Sequence, residues 1–469
     1  MTKGKTLRVA ALPGAFMLSV VGAGHAWAVD LTAAVQNAVN TNPEINQAVQ
    51  NKEAIEFERR QAQGLYGPRV SVEGGAGVRW LKNHTRRELG IANDTLYPIE
   101  GDLSVDQTLI DFGRTREEVK RQASRTDGAA NRVEERSEYI ALNVSRYYID
   151  YLLQQRLVAV AEDNVAFHEK LTGDLRQGVR QGSISIADQQ QAEERLQSAR
   201  VKLSEAKEDL ENAAISFRQN AGMPIGQPTM PPDLSTRMPP DVENAVDQAR
   251  ANNPLVQEAM ADIDAAHHET EAARADLYPR IGLEGRARIG DDIDGFEGRT
   301  EDYGGRVVLR WDVFNSGINK AKVSEMEHRE SEKRFRLHEV ARQAEAETRT
   351  AWNRVQVQSK LVGELEQQSR ISDDLLLSYR EQFNVGRRSL LDVLDAQNTR
   401  INVQSQAETA RFSQLYAKYR VLASANLLVE SLGVTLSPSA VANARQRYKV
   451  TPIAPDTVME PKLPYSATE

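Results

Sequence analysis

The chain repeats itself at a nearly constant offset. Asn42-Pro43 returns as Asn253-Pro254 and Pro68-Arg69 as Pro279-Arg280, each 211 positions on. Beyond these pairs the offset is 204. Gly113 matches Gly317, Val119 matches Val323, Gly182 matches Gly386 and Asp188 matches Asp392. Two tandem halves follow, and each must fold to the same plan.

Each half carries two segments with period-two patterning. In the first half Val70, Val72, Gly74, Ala76, Val78 and Trp80 alternate with Ser71, Glu73, Gly75, Gly77 and Arg79. Ile99, Gly101, Leu103 and Val105 then alternate with Glu100, Asp102, Ser104 and Asp106. In the second half Ile281, Leu283, Ala287 and Ile289 alternate with Gly282, Glu284, Arg286 and Arg288, and Tyr303, Val307, Leu309 and Trp311 with Gly304, Arg306, Arg310 and Asp312. Strands are expected at 69–80, 97–110, 280–290 and 303–314. One face is apolar and the other charged over ~10 residues, with aromatics near the ends, as in strands that cross an outer membrane. A soluble antiparallel sheet shares the alternation. Four strands cannot close a barrel, and an open edge cannot sit in lipid. Two copies would supply eight strands and three copies twelve.

The remainder reads as helix. No proline falls between Pro98 and Pro224, or between Pro279 and Pro438, so nothing breaks long helices there. Helices are expected over 114–181, 188–221, 318–385 and 390–432. The longer ones would span roughly 100 Å at 1.5 Å per residue. Shorter helices at 31–66 and 242–277 complete the two return paths. Ile140, Val144, Tyr147 and Tyr151 form one narrow seam. Leu394, Ile401, Phe412, Leu415, Tyr419 and Leu422 lie on another, broken by Asn398, Ser405 and Glu408. Such stripes are coiled-coil-like. In each half a long helix descends and two half-length helices return, with the strands above and a glycine turn below. The first repeat is 29–222 and the second 242–433. A proline-rich connector, 223–241, joins them, and a proline-rich tail occupies 434–469.

Composition narrows the classes. Only 40% of the chain is hydrophobic and its mean hydropathy is −0.54, which suits long, partly solvated helices. Beyond the N-terminus no stretch has the ~18 apolar residues of a spanning helix. Lys3, Lys5 and Arg8 precede an apolar run from Val9 to Val21, and Ala26-Trp27-Ala28 supplies a cleavage pattern. Residues 1–28 therefore read as a secretory signal peptide. Removing its three basic groups takes the net charge from −8 to −8 − 3 = −11, which disfavours nucleic acid as a partner. The absence of cysteine excludes disulfides and thiolate metal sites. His267-His268, with Glu271 one turn on, lacks an evident third ligand. No Ser/His/Asp set or complete phosphate loop stands out, so neither an enzyme, a cofactor nor a metal is expected.

The duplicated plan, together with VGRRSLLDVLDAQ at 385–397, resembles the TolC family of outer-membrane export channels. The resemblance covers about residues 30–433. It implies a mixed α and β membrane protein: a homotrimer whose twelve-stranded β-barrel, four strands per chain, sits in outer-membrane lipid. A long α-helical coiled-coil barrel would continue it into the periplasm, with an equatorial belt from 223–241 and the tail. It implies a passive duct working with a periplasmic adaptor and an inner-membrane ABC exporter or proton-driven efflux pump. The turns at Gly182 and Gly386 would be the periplasmic tips of two coiled hairpins, and the second hairpin would iris inward. Asp392 and Asp395 would line the entrance, six carboxylates in three copies, and favour cations. Arg388 matches an arginine that latches the closed state, and Asp188 matches its acidic counterpart. Phe383 stands where the best-known members carry a latch tyrosine, without the hydroxyl, and Arg387 adds a charge beside the latch. On local grounds alone, Asp188 and Asp392 suit first helical turns, and the glycines suit helix stops with positive φ. The ending YRVLASANLLVESLGV at 419–434 resembles members assigned to type I secretion, so protein export is expected ahead of small-molecule efflux. A periplasmic coiled-coil adaptor without a pore is the reading of a different class. It would need no lipid-facing alternation.

Overall fold

The computed structural model describes residues 28–453. The expected signal peptide lies outside the described residues except for Ala28, as does the tail from residue 454. β1 (Ala28–Val29) opens the described chain, and α1 (Leu31–Thr41) and α2 (Pro43–Gly64) lead to β2 (Arg69–Ala76). An outer loop follows, holding β3 (Arg79–Trp80), α3 (His84–Glu88) and β4 (Thr95–Leu96), before β5 (Ile99–Ile110). α4 (Arg114–Arg180) descends and α5 (Ile186–Ala221) returns. The connector holds β6 (Gln227–Pro228), which pairs in parallel with β1. The second half runs α6 (Val242–Asn252), α7 (Pro254–Ala275), β7 (Arg280–Asp291), β8 (Arg299–Arg310), α8 (Ile318–Asn384) and α9 (Leu390–Ser424). α10 (Leu428–Ser431) and α11 (Ala444–Arg447) end the described chain. α4 and α8 are both 67 residues long, roughly 100 Å each at 1.5 Å per residue.

Several expected boundaries move, each for a local reason. The helices expected at 31–66 and 242–277 are broken at Asn42 and Asn253. Pro43 and Pro254 cannot donate to the preceding turn. The asparagine side chains instead cap the new helices, accepting from Glu44 N at 2.8 Å and Leu255 N at 2.9 Å. The strand expected at 69–80 ends at Ala76; Arg79 and Trp80 leave the sheet and pair with β4. The strand expected at 303–314 starts earlier, at Arg299, and stops at Arg310. Below it the chain turns through two left-handed residues, Ser316 and Gly317, matching Phe112 and Gly113 in the first half. The helix expected to reach 432 stops at Ser424. Asn426 takes φ 59°, and Leu427 N donates to Leu422 O at 2.8 Å, a Schellman-type ending.

The four long strands form one antiparallel sheet in the order β2-β5-β7-β8. Its register sorts side chains into rows. Val72, Leu103, Ala287 and Tyr303 align on one face, and Glu73, Asp102, Arg288 and Asp302 on the other. The charged face is ion-paired across strands: Arg286 to Asp102 at 2.5 Å, Arg306 to Glu284 at 2.8 Å, and Arg288 to Glu100. The apolar face is bare, with Val72 77% and Val307 66% exposed. A soluble sheet would bury that face; lipid is the solvent that suits it. Among the described residues no helix is long and apolar enough to cross a membrane.

The helices form a layer below the sheet. α4 lies between α5 and α9 in the lower part and between α2 and α7 above, while α8 packs on α9, α7 and α6. α2 and α5 therefore edge the layer on one side and α8 on the other. α8 leaves Phe335, Val357, Ile371 and Leu377 exposed. β2 and β8 are likewise open edges of the sheet. A unit with two different open edges associates head to tail, and a ring is the closed form of that association.

The largest core lies at mid-height. Leu31, Val35, Val144, Tyr148, Phe217, Tyr419, Leu422 and Leu428 are buried together there. Tyr148 and Tyr419 donate their hydroxyls to Thr229 O at 2.6 Å and Pro232 O at 2.7 Å, tying the connector to the core. Higher up, the C-terminal segment crosses the helices as a strap. Asp127 accepts from the backbone of Ala444 and Arg445 and from Arg445 Nε; Asp264 accepts from the Arg445 guanidinium and from Ile453 N. Ile453 then packs on the α7–α8 cluster around Val256 and Val340.

Candidate gate at the helical tips

The two lower turns are built alike. Gly182 and Gly386 take φ 76° and 72°. Ser183 N donates to Gly178 O at 3.0 Å and Arg387 N to Gln382 O at 2.8 Å, so each descending helix ends in the same reversed turn. Three residues beyond each glycine, a serine starts the next helix. Ser185 Oγ accepts from Asp188 N at 3.1 Å, and Ser389 Oγ from Asp392 N at 3.2 Å. Each serine hydroxyl also donates to the carboxylate, at 2.7 Å in both copies. At the second tip Ser389 N donates to Asp392 as well, completing a capping box. The repeated unit is thus Gly-x-x-Ser-x-x-Asp. The serines are not among the residues expected at the tips, although Ser-x-x-acid before a helix is a readable start signal.

The acids at the second tip differ from one another. In the single subunit, hydrogen bonds from Ser389, assisted by the Arg388 charge, hold the Asp392 carboxyl below its ordinary value. Asp395 lies on the same face one turn on. It is exposed and has no ion pair among the described residues. Arg388 folds back on its own hairpin. It donates to Gln382 Oε1 at 3.1 Å, stands 4.3 Å above the Tyr379 ring and reaches Asp392 at 3.8 Å. Within one subunit the structure does not bring Arg388 to Asp188, whose partner is Ser185. The Arg387 side chain is exposed and unpaired among the described residues.

Phe383 is half-buried. It joins apolar clusters with Phe167, Val393 and Leu394, linking the end of α8 to α4 and α9. Its ring does packing work where a tyrosine would offer a hydroxyl. Just above, the α4–α9 contact contains a buried polar layer absent from the sequence reading. Gln397 Nε2 donates to Asn164 Oδ1 at 2.8 Å, with His168 and Thr172 on the same stripe of α4. Burial, reinforced by the Arg195 charge, pushes the His168 imidazole below its ordinary value.

The histidine pair noted in the sequence serves the upper helices. His268 bonds Glu117 of α4 at 2.7 Å, and His267 faces Glu330 of α8 at 3.5 Å. Burial works to raise the Glu117 carboxyl, but hydrogen bonds from His268 and Arg116 and the Lys120 charge hold it at about 2. Among the described residues no group of three His, Cys, Asp or Glu side chains is placed to hold a metal ion.

A duplicated strand–helix subunit, lipid-facing on one sheet surface and open at both edges, defines an outer-membrane channel protomer. The family model described as "Outer membrane efflux protein" matches residues 34–223 and 245–434, and the chain belongs to that family. Family members act as trimeric outer-membrane components of tripartite systems that include an adaptor and an inner-membrane pump. The chain is similar to the alkaline protease secretion protein AprF of Pseudomonas aeruginosa, at 24% identity over 89% of this chain and 88% of that one. It is also similar to the outer membrane efflux protein BepC of Brucella suis, at 22% identity over 71% of this chain and 74% of the relative. Among solved structures, the CmeC outer membrane channel of Campylobacter jejuni superposes with a TM-score of 0.74 at 14% identity, covering 89% of each chain. The protein is thus a TolC-like outer-membrane channel that extends into the periplasm, and its fold completes a twelve-stranded barrel from three copies of four strands.

Proposed function

We propose that this channel is the exit duct of a type I protein secretion system and that its helical tips are the gate. The supporting observation for the gate is the pair of matched hairpin tips at the far end from the sheet. The second tip carries two acids on one face. In a trimer, three copies of Asp392 and Asp395 place six carboxylates around the entrance, where they attract cations and resist anions. Arg388, Phe383 and Gly386 set the position of that tip, and Gly182 and Asp188 set the neighbouring one. In the trimer Arg388 pairs across to the hairpin beside it, with Asp188 as its acidic counterpart and Arg387 adding positive charge. The chain performs no chemistry itself; the inner-membrane pump supplies energy and the adaptor opens the tips.

Protein cargo is favoured by the similarity to the alkaline protease secretion protein, which extends along nearly the whole chain. Small-molecule efflux is the second reading, favoured by the similarity to an efflux protein. Affinity purification of the tagged channel from native envelopes separates them. Co-purification of an ABC exporter supports secretion, whereas a proton-driven pump moves the assignment to efflux. Single-channel recording of Arg388→Ser tests the gate. A surface pair of this kind is worth ~1 kcal/mol, so loosening it should raise mean conductance several-fold. Wild-type conductance from an intact trimer would remove Arg388 from the gate.

A further inference from the structure

The two lower hairpins of a subunit, α4–α5 and α8–α9, meet chiefly where α4 touches α9. Near the tips this seam is apolar, with Leu171 and Leu175 packed on Leu390 and Leu394. Above that cluster it becomes polar. Asn164, His168 and Thr172 recur every fourth residue on α4, and therefore share one face. Gln397 of α9, fully buried, meets this face at Asn164, whereas Thr172 donates to Ala192 O of α5 at 3.4 Å. One hydrogen bond joins the hairpins there, Gln397 Nε2 to Asn164 Oδ1 at 2.8 Å. Among the described residues Gln397 Oε1 has no hydrogen-bond partner.

We propose that this buried amide layer is the intramolecular catch of the gate: the contact that holds the second hairpin against the first and sets how readily it releases. The inference rests on the reading that the second hairpin moves. A purely apolar seam would gain from staying dry and would release reluctantly. An ion pair would release according to ionic strength. A neutral amide pair does neither. Its one bond favours the packed arrangement, while the orphaned Gln397 carbonyl favours an arrangement in which water reaches it. These opposing terms leave the seam close to balance, as an element that opens under an adaptor's load requires. Phe383 fits the same design. Residue 383 offers no hydroxyl, and a hydrogen bond between the hairpins lies further inside, from Gln397 to Asn164.

The catch makes a prediction in which two changes at one contact act in opposite directions. Gln397→Ala deletes the bond and leaves Asn164 unpaired, so mean single-channel conductance should rise. Gln397→Leu combined with Asn164→Leu removes the orphaned carbonyl and fills the seam with apolar atoms. Channel opening should then become rarer, on the order of tenfold, the scale of one relieved buried polar group. Arg388→Ser is recorded alongside. If Arg388→Ser raises conductance while both Gln397 changes leave trimers that behave as wild type, the hairpin gate stands and the catch is refuted. If none of the three changes conductance, the moving-hairpin reading fails and takes the catch with it. Should Gln397→Ala fail to assemble, the cysteine-free chain allows a second route. Asn164→Cys with Gln397→Cys, placed in the Arg388→Ser background and joined by a short cleavable thiol crosslinker, should lose the conductance gain and recover it on cleavage. An unchanged gain after complete crosslinking would overturn the proposal.

Discussion

Replacing Arg445 with alanine should release the C-terminal strap without dissolving the channel. Arg445 touches two carboxylates, Asp127 at 3.1 Å and Asp264 at 2.8 Å, whose side chains are only 4% and 2% exposed. Removing one partner of a buried ion pair costs about 3–5 kcal/mol, because the remaining charge is stranded. Here the backbone N–H groups of Ala444, Arg445 and Ile453 still donate to the same carboxylates after the change. The lower end, about 3 kcal/mol, is therefore the appropriate scale, and it corresponds to a factor on the order of 10² in the population of detached strap. Tyr448 remains as a further anchor: Gln63 donates to its hydroxyl at 3.1 Å and the Arg59 guanidinium stands 4.6 Å above its ring. Limited trypsin digestion of the detergent-solubilised trimer reads this population at Arg447 and Lys449, since cleavage follows the open fraction when opening is fast. The variant should lose its C-terminal peptide on the order of a hundred times faster while the trimer stays intact. Arg445→Lys, which keeps the charge and loses the fork, should fall between. A variant tail as resistant as wild type would refute the buried clamp.

Other outcomes follow from named side chains. Asp392→Ala with Asp395→Ala should keep the trimer and weaken both cation selectivity and block by multivalent cations; unchanged selectivity would reduce both to helix-start acids. Glu138 is buried between Glu134 and Glu430 and accepts from Val429 N at 3.3 Å, and burial pushes its carboxyl from an ordinary value near 4.5 up to about 8. Because the folded state holds this proton more tightly than the unfolded one, stability is lost as pH rises from the ordinary value through about 8. Glu138→Gln keeps an acceptor for Val429 N and should flatten the decline of thermal stability over that range. A parallel decline in both proteins would contradict it.

The architecture was legible because its causes are local and repeated. Alternation in the strands, proline-free helical runs and the 204-residue offset each leave marks on single stretches of sequence. Gly113 and Gly317, Gly182 and Gly386 all take the positive φ that their matched positions call for. The boundary errors were local too. Asn42-Pro43 and Asn253-Pro254 were visible as a repeat, and a proline after a capping asparagine is a helix start; they served as markers of duplication and not as breaks. The strap and the amide layer were not legible. Asp127 and Asp264 meet Arg445 across separations of 318 and 181 residues, and Gln397 meets Asn164 across 233. No spacing rule signals such a contact. A buried glutamine and a solvated one look alike in a helical stripe. Arg388 shows the converse. Its motif pointed outward to Asp188, whereas in one subunit the nearer Tyr379 and Asp392 claim it.

Three copies of this chain should make a water-filled path through the outer membrane, entered at the acidic tips. Single-channel recording of the purified protein, inserted into a planar lipid bilayer, tests it most directly. Discrete conductance steps that favour cations over anions are expected. Protein shown to be inserted as a folded trimer in an electrically silent bilayer, or steps that favour anions, would contradict it.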